Sequence, residues 1–214
     1  MKAYLSKDAN SRLTEYLISS GYDIETVETQ GIVGRYISNH PDVFLCKMGI
    51  SADAPIFPAT TEDLGLEYPD DAVFCAACTG KYFIHNLSIT APLLSEAASA
   101  LGMTMINVKQ GYSKCNIAII DENSIITSDA GIAKSCRRYT DLDILEITPG
   151  HIRLAGFDTG FIGGTCGRLG DEIIFNGDLT HHPDFASILE FIEARSLKCK
   201  WFPEYQLTDI GSIL

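Results

Sequence analysis

One unit recurs along this chain. The stretch AYLSKDANSRLTEYLISSGYDIETV, from Ala3, runs nearly in step with IITSDAGIAKSCRRYTDLDILEIT, from Ile125. Each reads as a short apolar strand, a Ser and Asp helix opening, a helix, and a second strand marked by Asp-Ile. Two further stretches follow the same plan: YFIHNLSITAPLLSEAASALGMTMINV from Tyr82 and IIFNGDLTHHPDFASILEFIEARSLKCKWF from Ile173. A repeated unit leaves an apolar face that only its neighbours can cover, so repetition constrains the fold more tightly than composition does.

Another strand lies ahead of most copies, across a tight turn. SKCNIAII reaches SIITS through Asp121-Glu122-Asn123, GGTCGRL reaches EIIFN through Gly170-Asp171, and VFCAA reaches YFIHN through Thr79-Gly80. Asn, Asp and Gly tolerate the left-handed backbone of such turns. The helices are supported by spacing, with Leu94, Ala97, Ala98 and Leu101 on one face and Phe185, Ile188, Leu189 and Ile192 on another. Copies starting at Tyr82, Ile125 and Ile173 are 43 and 48 residues apart, whereas Ala3 to Tyr82 is 79, room for one more. That degenerate copy is VFLCK and PIFP, Val43 to Pro58, followed by a shortened helical turn near TTEDLGLEY. The copy at Ala3 lacks its first strand, and the tail QLTDIGSIL can supply one. The expectation is an α/β fold: a single domain over residues 1–214, five ββαβ modules in a closed, propeller-like ring, shut by pairing of the tail with Ala3 to Ser6.

The 214 residues are 46% hydrophobic, enough for a substantial core. A formal net charge of −12, with no run of Lys or Arg as long as four residues, repels a phosphate backbone, so no nucleic-acid partner is expected. The first residues lack the apolar centre of a signal peptide and no 18-residue apolar run exists, which excludes a spanning helix and favours the cytoplasm. Seven Cys, an odd number mostly inside apolar runs, point to reduced thiols and no disulfide. Oligomeric state is left open.

Five ββαβ modules around a pseudo-fivefold axis resemble the pentein architecture. The chain resembles a bacterial offshoot of the guanidino-group-modifying enzyme superfamily, and also the ribosome anti-association factors, which share that fold without catalysis. The best local match is FIGGTCGRLGDEIIFNGDL, Phe161 to Leu179, similar to the superfamily's Glu-Gly-Gly-Asp segment. The departures are large. Ile162 and Thr165 stand where the family has acids around the glycine pair, and Gln206-Leu207-Thr208-Asp209 lacks the family's nucleophilic Cys. The usual Cys and His mechanism is therefore not carried over intact.

Such a fold implies a central channel at the starts of the inner strands, where Asp42, Cys115, Asn116, Thr165, Cys166 and Asp209 fall. One reading is a small acidic, thiol-containing pocket for a guanidine or amine, with Asp42, Asn116, Thr165 and Asp209 binding the ligand. In its catalytic variant, a Cys-dependent hydrolase, Cys115 or Cys166 is the nucleophile and His40 or His85 the acid/base partner. The plainer reading makes these strand-start residues satisfy backbone groups, with Cys as a small hydrophobe. His85 occupies the position of Ser6, Ser128 and Asn176, which favours a helix-opening role. His40 and Asp42 flank Pro41, expected to force an extended path into the strand. Cys75 and Cys78 have CxxC spacing within an apparent strand, which turns the thiols to opposite sides. His181-His182 are expected to face solvent. Neither pair makes a metal site, and no metal or cofactor is expected. The glycines from Gly156 to Gly170 read as points of close backbone approach rather than a phosphate cradle. Function is thus expected to be binding of a small cationic nitrogen compound, with a non-catalytic interaction module as the alternative.

Overall fold

The structure, a computed structural model, describes residues 1–27 and 31–214. The first unit is β1 (Lys2–Ser6), α1 (Ser11–Ser19) and β2 (Asp23–Val27), with β1 and β2 parallel. Asn10 starts α1 by accepting the Arg12 N–H at 3.0 Å, and Leu13 and Leu17, four residues apart, are its buried stripe. A short helical turn, α2 (Pro41–Phe44), leads into β3 (Leu45–Lys47), which pairs antiparallel with β4 (Ile56–Pro58). No returning strand joins this pair among the described residues.

Three units carry the full expected pattern. They are β5 (Ala77–Cys78), β6 (Tyr82–His85), α3 (Pro92–Ala100) and β7 (Thr104–Asn107); then α4 (Ser113–Asn116), β8 (Ile117–Asp121), β9 (Ser124–Thr127), α5 (Ala130–Cys136) and β10 (Asp143–Glu146); then β11 (Cys166–Leu169), β12 (Glu172–Phe175), α6 (Phe185–Glu193) and β13 (Lys198–Lys200). In each, an antiparallel hairpin is followed by a helix and a strand that returns parallel to the hairpin's second strand. The helix is needed because parallel neighbours require a crossover.

The closed ring expected from the repeats is not formed. Among the described residues the strands make five separate sheets of two or three strands each, and no sheet closes or curls into a ring or propeller. The tail does reach β1: Tyr4 and Leu214 exchange both backbone hydrogen bonds, at 2.8 and 3.2 Å. One residue pair is too few to add a strand. Elsewhere the tail spends its backbone groups on Gly164 and Cys166, which accept from Ile210, Ser212 and Ile213. It acts as a strap, and its Ile210 and Ile213 pack in one apolar cluster with Leu5, Leu13, Leu17 and Ile174.

Two further expectations are corrected. Pro41 does not extend the chain into β3; it occupies the first turn of α2, where its missing N–H costs nothing and its fixed φ suits a helix. Cys75 lies ahead of β5 rather than within it, so the CxxC thiols diverge to different partners: Cys115 at 3.7 Å from Cys75, and Cys46 at 3.7 Å from Cys78. All seven cysteines are free. No described helix is long and apolar enough to cross a membrane.

Candidate functional site

Helical turns precede three of the inner strands: α2 before β3, α4 before β8, and a 3-10 turn at Gly163–Thr165 before β11. The turns aim side chains sideways from the strand ends, and the tail passes beside them. The Asp42 N–H donates to the Gly211 carbonyl at 3.1 Å, and the Lys114 N–H to the Cys75 carbonyl at 2.9 Å. Two glycines make this approach feasible. A Cβ at Gly164 would overlap the Asp209 carboxylate, and one at Gly211, whose φ is 74°, would overlap His40. Within the glycine-rich stretch, close approach is the role of Gly163, Gly164 and Gly167, whereas Gly170, with φ 64°, serves a turn.

Four of the eight residues singled out from sequence are brought together: His40, Asp42, Cys115 and Asp209. All are buried. The Cys115 thiol donates to Asp42 Oδ2 at 3.1 Å, and the Ser212 hydroxyl donates to the same oxygen at 2.5 Å. Lys114 Nζ donates to Ser212 Oγ at 2.9 Å, a buried ammonium linked to the carboxylate through one hydroxyl. Asp209 accepts from the N–H groups of Phe161, at 2.9 Å, and Gly211, at 3.0 Å. His40 Nδ1 stands 3.9 Å from Asp209 Oδ1, beyond hydrogen-bond reach. Neither His40 Nδ1 nor Asp42 Oδ1 has any hydrogen-bond partner.

Burial dominates the electrostatics. Loss of water pushes the Asp209 carboxyl up to about 6, against the pull of its two backbone donors. It raises Asp42 too, and lowers His40. The Cys115 thiol is driven well above its ordinary range by the hydrogen bond with Cys75, then by burial and by the Asp42 charge. Cys115 is accordingly a thiol rather than a thiolate.

All of the cluster but Asp42 borders a cavity of about 270 Å³. His40, Cys115 and Asp209 line it, as does Asp71, which the sequence did not single out. Asp71 accepts from the Tyr112 hydroxyl at 2.7 Å, and its other oxygen has no partner. Tyr36, Tyr112, Phe157 and Phe161 supply aromatic walls, with Tyr36 and Phe157 in edge contact at 5.8 Å and both exposed at the mouth. None of the described residues lining this cavity is Lys or Arg. Arg153 borders an adjoining cavity that shares Tyr36, His40, Leu154 and Asp209.

The other four expected residues serve the fold. Both ring nitrogens of His85 are engaged: Nδ1 with Thr90 Oγ1 at 2.7 Å, and Nε2 donating to the carbonyls of Gly111, at 2.7 Å, and Ala72, at 3.1 Å. Its role is the structural one. The Cys166 thiol and the Thr165 hydroxyl both donate to the Ile162 carbonyl, closing the 3-10 turn, and Asn116 Nδ2 donates to the Tyr112 carbonyl. None of them lines the cavity. Of the histidine pair, His181 is exposed and beside Asp178, whereas His182 is buried, contrary to expectation.

Residues 51–214 match the model of DUF6873, a family of unknown function. The chain belongs to this family. No curated protein and no solved structure matches it. The DUF6873 match includes Asp71, Cys115 and Asp209, while His40 and Asp42 lie before it.

Proposed function

We propose that the cavity binds a small cationic nitrogen compound, a guanidine or an amine. One observation carries this: buried carboxylates at Asp71 and Asp209, with Asp42 just behind, face an aromatic-walled cavity that no described Lys or Arg lines. Asp42 and Asp209 share one nearby cation, Lys114, which leaves the buried carboxylates short of positive charge, and a cation entering among π faces gains from both. Arg153, at the adjoining cavity, can meet a carboxylate on the same molecule, so an amino acid or guanidino acid should bind better than the bare amine. A guanidine heads the series because Phe161 to Leu179 resembles the Gly-Gly segment of the guanidino-group-modifying enzymes.

Binding, not Cys-dependent turnover, is the activity assigned, since no described cation lines the cavity to hold a thiolate at Cys115. The reduced thiols fit a cytoplasmic protein, and the charge of −12 fits a small cation rather than a nucleic acid. A thermal-shift panel of guanidines, amines and amino acids tests the proposal. Ligand at about a hundred times its dissociation constant should stabilise by about 2.7 kcal/mol. Asp71→Asn, which keeps the Tyr112 hydrogen bond but removes the charge, should weaken binding by about tenfold. A panel that leaves the melting temperature unmoved overturns the assignment and favours the interaction-module alternative.

A further inference from the structure

The geometry points to a metal site: His40, Asp42 and Cys115 together hold one divalent transition-metal ion, zinc by ligand type, with an open coordination position facing the cavity. Each offers one ligand atom, and the three atoms lie within 4.8 Å of one another, all buried. The second observation is independent of that proximity. His40 Nδ1 and Asp42 Oδ1 are buried polar atoms with no hydrogen-bond partner. Groups of this kind are rare in folded proteins because they lose water without replacement, and a bound ion is one of the standard explanations.

The donor set is chemically coherent. Imidazole nitrogen, carboxylate oxygen and thiolate sulfur are the three ligand types zinc accepts, and three protein ligands with one free position is the pattern of sites that act on a bound water or substrate. In a tetrahedral site such ligand atoms stand roughly 3.5 Å apart, so the cluster must contract by about 1 Å. Cys115 Sγ and Asp42 Oδ2 are already 3.1 Å apart, joined by the thiol proton. On binding, Cys115 releases that proton to solvent and the metal takes its place. Thiolate and carboxylate then neutralise the ion. His40 and Cys115 line the cavity, so the fourth position opens there, beside Asp209. Sequence reading expects no metal, because His40 and Cys115 are 75 residues apart and only folding joins them.

The full chain, stripped with chelator and desalted, is titrated with Co²⁺ and the Co²⁺ is then displaced by Zn²⁺. The expected result is one equivalent bound, a thiolate-to-cobalt charge-transfer band, and about one proton released per ion. Cys115→Ala should abolish the band, and Asp42→Asn and His40→Gln should each weaken binding by more than about tenfold. Cys46→Ala, which breaks the separate Cys46 and Cys78 contact, should leave the band intact. Absence of binding overturns the proposal, as does a band that survives Cys115→Ala and vanishes in Cys46→Ala. Should Cys115→Ala fail to fold, the near-isosteric Asp42→Asn and His40→Gln decide, and unweakened binding in both is fatal. Stabilisation by amines is measured in EDTA, so the metal and the amine assignments fail independently.

Discussion

His85 and His40 are equally hidden from water, yet the fold needs only one of them. His85 has every ring nitrogen engaged by residues between Ala72 and Gly111, and its surroundings are closed on themselves. His40 sits among Asp42, Cys115 and Asp209 with its Nδ1 unpaired, on the floor of a cavity. A buried polar group that is fully bonded stabilises and specifies; one left unmade costs about 1–3 kcal/mol and persists where something else selects for it. The same contrast separates Cys166, bonded to its own turn, from Cys115, which faces the cavity.

The largest expected effect breaks the His40 region first. Deleting residues 208–214 removes Asp209 and Ser212 from the cluster and Ile210 and Ile213 from the core. At about 1.5–3 kcal/mol for each buried aliphatic side chain, plus the lost backbone bonds, the cost should exceed about 5 kcal/mol. Denaturant unfolding followed by circular dichroism should show no cooperative transition. A native-like transition would mean the tail is not a strap.

Acid sharpens the comparison from the other side. Burial pushes His85 down to about 4, opposed only by its two carbonyl partners. Above pH 6.5 the imidazole is neutral in both folded and unfolded chains, and its contribution is intact. As pH falls towards 4 the unfolded chain takes up the proton first, so stability is lost, by about 3 kcal/mol from this residue. His85→Gln cannot titrate and should show a flatter fall in urea midpoint between pH 7 and pH 4.5. Parallel slopes would contradict the assignment.

The repeats were legible because each unit's signals are local: turn residues at Gly170-Asp171, an apolar stripe at Leu94 and Ala98, Asp-Ile in the returning strand. The ring was not, because closure depends on how many backbone bonds the tail makes with β1, and nothing in QLTDIGSIL fixes that number. The site was half legible. Asp42, Cys115 and Asp209 were found by their places at strand starts. Asp71 was missed because it lies in a long irregular segment with no periodicity, and His85 misled because a histidine's bonding partners, here Ala72 and Gly111, are distant in sequence.

The smallest effect concerns sulfur. Cys75 with Cys115 and Cys46 with Cys78 stand 3.7 Å apart as thiol contacts. Mass spectrometry of the non-reduced protein should give the mass of seven thiols, and a deficit of two hydrogens per cross-link would contradict this.

The most direct measurement compares His40→Leu with His85→Leu in denaturant titrations under one set of conditions. His85→Leu strands the Gly111 and Ala72 carbonyls and should cost about 3 kcal/mol, while His40→Leu replaces a ring whose Nδ1 has no hydrogen-bond partner and should change stability by less than about 1 kcal/mol in either direction. If His40→Leu is the more destabilising of the two, the His40 cluster belongs to the fold and the account of it as a binding site is wrong.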